Sequence, residues 1–277
     1  MNDDRETKRM YCELLEADLS IDLEKDLSPP PVAITFGTHE YKTSNGTIIE
    51  ETPMATYGNF SFIQAPPKSY KSYFVSLLAS VYLKSENKWA GEKFKSYSNG
   101  KRLLHFDTEQ GAWHCQRGAR RIAEMAGTSD KYESYALRTI PYKERMDFID
   151  YKIWQNEDDD IGLVIIDGLA DLVGDVNDID QSNKCVQKLM EWSAKRGCHI
   201  VTVIHSNYGS DKPTGHLGSF CEKKAETQIS LEKDENTNLI QVKCKRSRNF
   251  SFSTFDFKIN NYGFPEVINQ AFPDLPF

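Results

Sequence analysis

The 277-residue sequence has no apolar run long enough to cross a bilayer, since a spanning helix needs about 20 mostly apolar residues in a row. Its first residues, Met1-Asn2-Asp3-Asp4, are acidic and polar, the wrong chemistry for a secretory leader. These absences make the cytoplasm the expected compartment and leave no expected membrane partner. Cysteine is sparse: Cys12, Cys115, Cys185, Cys198, Cys221 and Cys244 are scattered, with no pair at zinc-ligand spacing. Without an export signal they are expected as reduced thiols. An excess of positive charge is missing too. A net charge of −7 gives no overall pull on nucleic acid, although a few basic loops on an acidic body would still bind it.

What is present organises into segments. Residues 1–28 are rich in charge and carry Met10, Leu14, Leu15, Leu19 and Leu23 at roughly helical spacing. Pro29-Pro30-Pro31 closes that stretch, because consecutive prolines stop a helix. Residues 1–31 thus read as an N-terminal arm, either a partly disordered tail or a segment whose apolar stripe packs on a neighbouring subunit. Residues 32–277 read as one catalytic domain. Within it, 32–36 and 59–64 have strand character, and Asn45-Gly46 is a hairpin signal. Three short apolar strands, 103–107, 163–167 and 199–205, alternate with helical patterns at 72–84, 113–126, 143–154 and 180–196. Such alternation predicts a mostly parallel α/β sheet flanked by helices. From Thr227 the pattern becomes consecutive strands, 228–233, 239–245 and 254–259, with a turn at 234–238, so the domain is expected to end in antiparallel strands.

The chemistry starts at Ala65-Pro66-Pro67-Lys68-Ser69-Tyr70-Lys71-Ser72, between a strand and a helix. It matches the phosphate-binding pattern G-x-x-x-x-G-K-[ST] at its last two positions and lacks both glycines. In that motif, backbone N–H groups and a helix N-terminus cradle phosphates. Lys71 is placed to reach the β/γ-phosphates of ATP and Ser72 to complete the shell of Mg2+. Tyr70 departs most, because a bulky side chain disfavours the positive φ that glycine permits. Pro66 and Pro67 remove two N–H donors. The plain alternative is a strand–loop–helix junction with a capping serine. Three polar strand tips follow in order: Asp107-Thr108-Glu109-Gln110, then Asp167-Gly168, then His205. In doubly wound sheets, ligands collect at such carboxyl ends, and a carboxylate there can hold a metal beside phosphates.

Together with Gly58-Asn59-Phe60-Ser61-Phe62-Ile63 and the stretch from His205-Ser206-Asn207 to Gly215-His216-Leu217-Gly218-Ser219, these residues resemble RecA-fold P-loop ATPases. They are most similar to the RepA/DnaB-like helicase branch of plasmids and mobile elements, in particular small ATPases of Bacteroidetes mobile DNA. The resemblance spans residues 55–260. It implies that Lys71 and Ser72 meet phosphate and Mg2+, and that Asp167 is the second metal-side carboxylate. It further implies Glu109 as the base that polarises the attacking water, with Asp107 on the same strand face, and His205 as a sensor of the γ-phosphate. Arg246 and Arg248, in the basic run Lys243-Cys244-Lys245-Arg246-Ser247-Arg248, match fingers acting on a neighbour's nucleotide. Two residues apart, they are expected on one face of a strand. The long polar loop 206–219, with Tyr208, Lys212 and His216, corresponds to one that faces single-stranded DNA.

Two functions stay open at this point. One is an oligomeric ATP-hydrolysing DNA motor or accessory helicase, a ring (a hexamer among the options) or filament, working with replication or mobilisation proteins. The other is a catalytically degenerate RecA-fold protein acting as a DNA-binding or assembly factor. A P-loop kinase is a third reading, disfavoured by the absence of a recognisable lid or acceptor site.

Overall fold

The computed structural model describes residues 2–84, 87–155, 160–207 and 212–268. The chain divides into two units, Met1–Pro30 and Pro31–Phe277. In the first, helix α1 (Asn2–Leu19) follows the apolar spacing, and Met10, Tyr11, Leu14 and Leu19 are exposed. The helix stops well short of the prolines. The carboxylate of Asp22 accepts from the amide of Glu24, an Asx turn that competes with helical bonding.

The second unit begins with strands β1 (Val32–Thr43) and β2 (Gly46–Thr56), a hairpin closed by Ser44-Asn45 with Thr43 paired to Gly46. Next come β3 (Phe60–Ala65), helix α2 (Lys71–Leu83), β4 (Phe94–Ser96), β5 (Arg102–Asp107) and α3 (Ala112–Ala126). They are followed by β6 (Tyr132–Ala136), α4 (Tyr142–Trp154), β7 (Ile161–Asp167), a 3-10 turn at Leu169–Leu172, and α5 (Ile179–Arg196). The unit closes with β8 (His199–His205), α6 (Gly215–Lys224), β9 (Thr227–Lys233), β10 (Ile240–Ser247), β11 (Phe255–Ile259) and β12 (Pro265–Ile268).

Nine strands form one sheet in the order β12-β11-β10-β9-β3-β8-β7-β5-β6, and β2-β1-β4 form a small second sheet. Neighbours from β9 through β6 are parallel, and β9 through β12 pair antiparallel, as expected. Every residue of β7 is buried, which suits a central parallel strand covered on both faces. Alternate residues feed two cores. Ile63, Leu103 and Ile165 join one, and Phe62, Leu104 and Ile166 join the other, because side chains of a strand alternate in direction. Helix α5 is capped by Asp178, which accepts from the amide of Gln181, and ends at Gly197 in the left-handed region.

Four elements depart from expectation. Strands β4, β6 and β12 are short, and β6 (YESYA) is a half-buried edge strand without an apolar stripe to mark it. Helix α6 begins at Gly215, inside the stretch expected as loop. Its sequence holds two glycines, poor helix formers, and is anchored by buried Leu217 and Cys221.

The small and large sheets are joined at Glu226. Its buried carboxylate accepts from the amide and hydroxyl of Thr56 and from the side-chain amide of Asn249. Glu226→Ala strands a buried amide, and we expect unfolding to become easier by about 3 kcal/mol. A urea titration reads this as a lower midpoint at unchanged slope.

Candidate active site

The carboxyl ends of β3, β8, β7 and β5 meet at one edge of the sheet, with Ala65 beside His205 and Asp107 beside Asp167. The loop leaving β3 turns back immediately. Lys68 has φ of 63° and Tyr70 φ of 63° and ψ of 28°, so the chain takes the left-handed turns of a glycine-rich loop without glycine. A non-glycine residue there costs roughly 1–3 kcal/mol. The Pro66 carbonyl offsets it by accepting from the Ser69 hydroxyl at 2.6 Å and from Lys71 Nζ at 3.0 Å. Tyr70 also packs its ring on Tyr73 at 5.6 Å and lends its carbonyl to the amides of Tyr73 and Phe74. The expected obstacle at Tyr70 is therefore absent: the backbone adopts positive φ despite the side chain. Amides of the first turn of α2 have no helical carbonyl behind them and face the positive end of the helix dipole, which suits an anion.

Lys71, buried at the start of α2, reaches His205 Nδ1 at 3.2 Å, and His205 Nε2 lies 3.0 Å from Glu109 Oε1. An ammonium only donates, so Nδ1 accepts and the Nε2–H donates to Glu109. Burial lowers the pKa of Lys71, opposed by the charges of Glu109 and Asp167. The hydrogen bond from His205 lowers the pKa of Glu109 and keeps it a carboxylate. Glu109 is not on a strand, contrary to expectation. β5 ends at Asp107, whose buried Oδ1 accepts from the amides of Glu109 and Gln110 at 3.0 and 2.8 Å and so shapes the turn that carries Glu109. Burial raises the pKa of Asp107.

The Ser72 hydroxyl donates to Asp167 Oδ2 at 3.4 Å and accepts from Gln110 Nε2 at 3.4 Å. Asp167 is pushed up to about 7, by burial first and then by the charges of Asp107 and Glu109. A buried carboxylate next to a hydroxyl, all oxygen donors, fits a hard cation such as Mg2+ that takes one or two protein ligands plus phosphate oxygens. Among the described residues no group of three or more His, Cys, Asp or Glu is placed to hold a metal unaided.

The loop, α2 and α3 enclose a cleft of about 640 Å3 lined by Pro67 through Ser72, Glu109, Asp167 and His205. It also takes in Tyr73 and Ser76 of α2, buried His105 of β5 and Gln110, together with His114, Arg117 and Arg121 of α3. None of these was singled out from sequence. The i, i+4 spacing of Arg117 and Arg121, which puts both on one helix face, was the available signal. Arg121 lies over the Tyr73 ring at 3.9 Å and donates to Ser76.

The remaining expected residues are elsewhere. Exposed Arg246 pairs with Gln228 near the amino end of β9, the sheet edge away from the cleft. A bulge precedes it, and β10 stops at Ser247. Arg248 therefore lies past the strand, donating to the Lys224 carbonyl at 2.8 Å, and the two do not share a strand face. The loop after His205 is pinched by a bridge between Ser206 and Pro213. Lys212 sits within it, exposed His216 lies in the first turn of α6, and Tyr208 falls outside the described residues. No helix among the described residues is long and apolar enough to cross a membrane.

Residues 52–211, more than half of the chain, match the family model described as AAA domain. No curated protein matches the sequence. Among solved structures, the chain is similar to the RadB recombinase, at 16% identity over 76% of this chain and 91% of that one, with a TM-score of 0.52. It is also similar to the solved ATPase domain of a helicase, at 14% identity over 76% of this chain and 85% of that one, with a TM-score of 0.55. At such identities the likeness establishes a common fold, the RecA-like α/β core.

The state of Asp167 has a measurable consequence. Its carboxyl titrates near 7 when folded, against an ordinary value of 3.8. Between these values the native state keeps a proton that the unfolded chain releases, so stability falls as pH rises through this window. Asp167→Asn removes the effect. Without Mg2+ we expect the variant to match wild type below pH 4 and to exceed it by up to about 4 kcal/mol at pH 8, read by thermal melts across pH. Adding ATP and Mg2+ should then raise the melting temperature of wild type only.

Proposed function

The chain belongs to the AAA domain family, and from that premise we propose that it is an oligomeric, ATP-hydrolysing motor of the helicase or translocase type acting on single-stranded DNA. It would serve a plasmid or other mobile element beside replication or mobilisation proteins. The observation that carries this reading is the unbroken chain from Lys71 through His205 to Glu109, above a loop already bent to wrap an anion. A protein that merely held a nucleotide would have no use for a carboxylate poised there.

In this reading Lys71 and the first amides of α2 hold the β/γ-phosphates of ATP, and Ser72 and Asp167 hold Mg2+. The metal would supply charge neutralisation between phosphate oxygens. Glu109 orients the attacking water and takes its proton. His205, bonded to both Lys71 and Glu109, stands at the root of the loop holding Lys212, with Tyr208 and His216 as the other DNA contacts. Arg246 and Arg248 lie beyond reach of their own cleft, which supports a role on a neighbour's nucleotide. Exposed apolar residues of α1 support residues 1–31 as an arm that packs on the next subunit's ATPase domain, 32–277.

One observation favours a second reading, an assembly or DNA-binding factor without turnover: Pro66 and Pro67 offer no N–H to phosphate. ATP hydrolysis, measured with and without single-stranded DNA, separates the two. We expect DNA-stimulated turnover that falls at least about 100-fold in Glu109→Gln and in Lys71→Ala. Equal background rates in all three proteins would sink the motor and leave the second reading. Sedimentation with ATP and DNA should show an assembly, and a monomer would contradict fingers acting in trans.

A further inference from the structure

Between the two acidic strand tips stands Thr108. Its hydroxyl lies 2.9 Å from the Gly168 carbonyl, 2.9 Å from Asp171 Oδ2 and 3.1 Å from the Asp167 carbonyl. All three are acceptors, and a hydroxyl has one proton to give, so this oxygen gathers the end of β7 and the Asp171 carboxylate at a single point. The Thr108 amide donates to the Asp167 carbonyl at 3.0 Å, doubling the link between β5 and β7. The approach depends on glycine at 168: φ there is +107°, and a Cβ would collide with the Thr108 hydroxyl.

Asp171 is held from its other side by Arg145. The guanidinium lies 3.8 Å from Asp171 Oδ2 and donates to the carbonyls of Ile140, Asp171 and Arg138 at 2.9, 3.1 and 3.2 Å. Three main-chain bonds fix this arginine, whose side chain is largely buried. Asp171 itself, 39% exposed, contributes little to the core, so its removal need not unfold the chain. Through Thr108 it touches the turn bearing Glu109 on one side and the strand end bearing Asp167 on the other.

We propose that Asp171 is a positioning residue for Glu109 and Asp167, acting through the Thr108 hydroxyl and held in place by Arg145. The bearing on turnover rests on the ATPase reading; the mechanical link does not. Removing an outer partner that aims a catalytic group typically lowers activity about 10–100-fold. Asp171→Ala should therefore reduce kcat by that factor while KM for ATP changes less than about 3-fold. Asp171→Asn, which keeps an oxygen for Thr108, should fall between Ala and wild type.

Amide hydrogen exchange on the nucleotide-free protein supplies a readout independent of hydrolysis. In Asp171→Ala the amides of Thr108, Glu109 and Gln110 should exchange at least about 10-fold faster, with those of β3 and β8 unchanged. Thr108→Val should reproduce the effect, and the double variant should add nothing further. The proposal is overturned if exchange at 108–110 stays at the wild-type rate, if β3 and β8 accelerate equally, or if kcat is unmoved while exchange rises. Should wild type hydrolyse no ATP, the motor reading falls on its own, and exchange alone decides the link.

Discussion

Parallel pairing of β3, β8, β7 and β5 sets Ala65 beside His205 and Asp107 beside Asp167, and strands that run one way must finish at one edge. Loop, histidine and carboxylates have no other place to go. Helices on both faces bury the strands and leave only their ends to chemistry, so the polar groups converge there. Their convergence then generates its own electrostatics. Asp167 is raised because it is buried beside Asp107 and Glu109, and Lys71 is lowered because it shares that burial. The free energy of packing the sheet holds charges together that would separate in water, which is how pre-organised sites are commonly built.

Strain collects at the same edge. Lys68 and Tyr70 are two of the five non-glycine residues with positive φ among the described residues, and they stand within one loop. Such outliers persist only where the surroundings over-determine them. Here the surroundings are the Pro66 carbonyl, bonded twice, and the ring of Tyr73. Two prolines also reduce the freedom of the unfolded loop, so the missing glycines are answered by stiffness rather than permissiveness. The sequence departs from the glycine pattern while the backbone keeps its shape.

Much of this was legible beforehand. Apolar strands ending in Asp107, Asp167 and His205 announced the parallel core, and their order identified the edge where the site lies. The antiparallel ending was visible in the strand spacing after Thr227. What could not be read has physical reasons. β6 is an edge strand with polar residues, and α6 holds two glycines in ten residues, so neither shows the periodicity of a buried face. Arg248 looked like a strand partner of Arg246, but a bulge and an early strand end depend on pairing with β9 that local pattern does not encode. The Lys71–His205 bond joins residues 134 apart, and nothing local to either predicts it. Arg117 and Arg121 were legible as a pair, yet only the packing of α3 on α2 turns them into the cleft.

The central claim is that a loop without glycine works as a phosphate cradle because its backbone already has the required form. A crystal structure with Mg2+ and a non-hydrolysable ATP analogue tests it most directly. The account predicts phosphates against the first amides of α2, Lys71 Nζ on a terminal phosphate oxygen, Mg2+ between Ser72 and Asp167, and Tyr70 still at positive φ. A nucleotide bound away from this loop, or a loop that must flip Tyr70 to negative φ to admit it, would contradict the account.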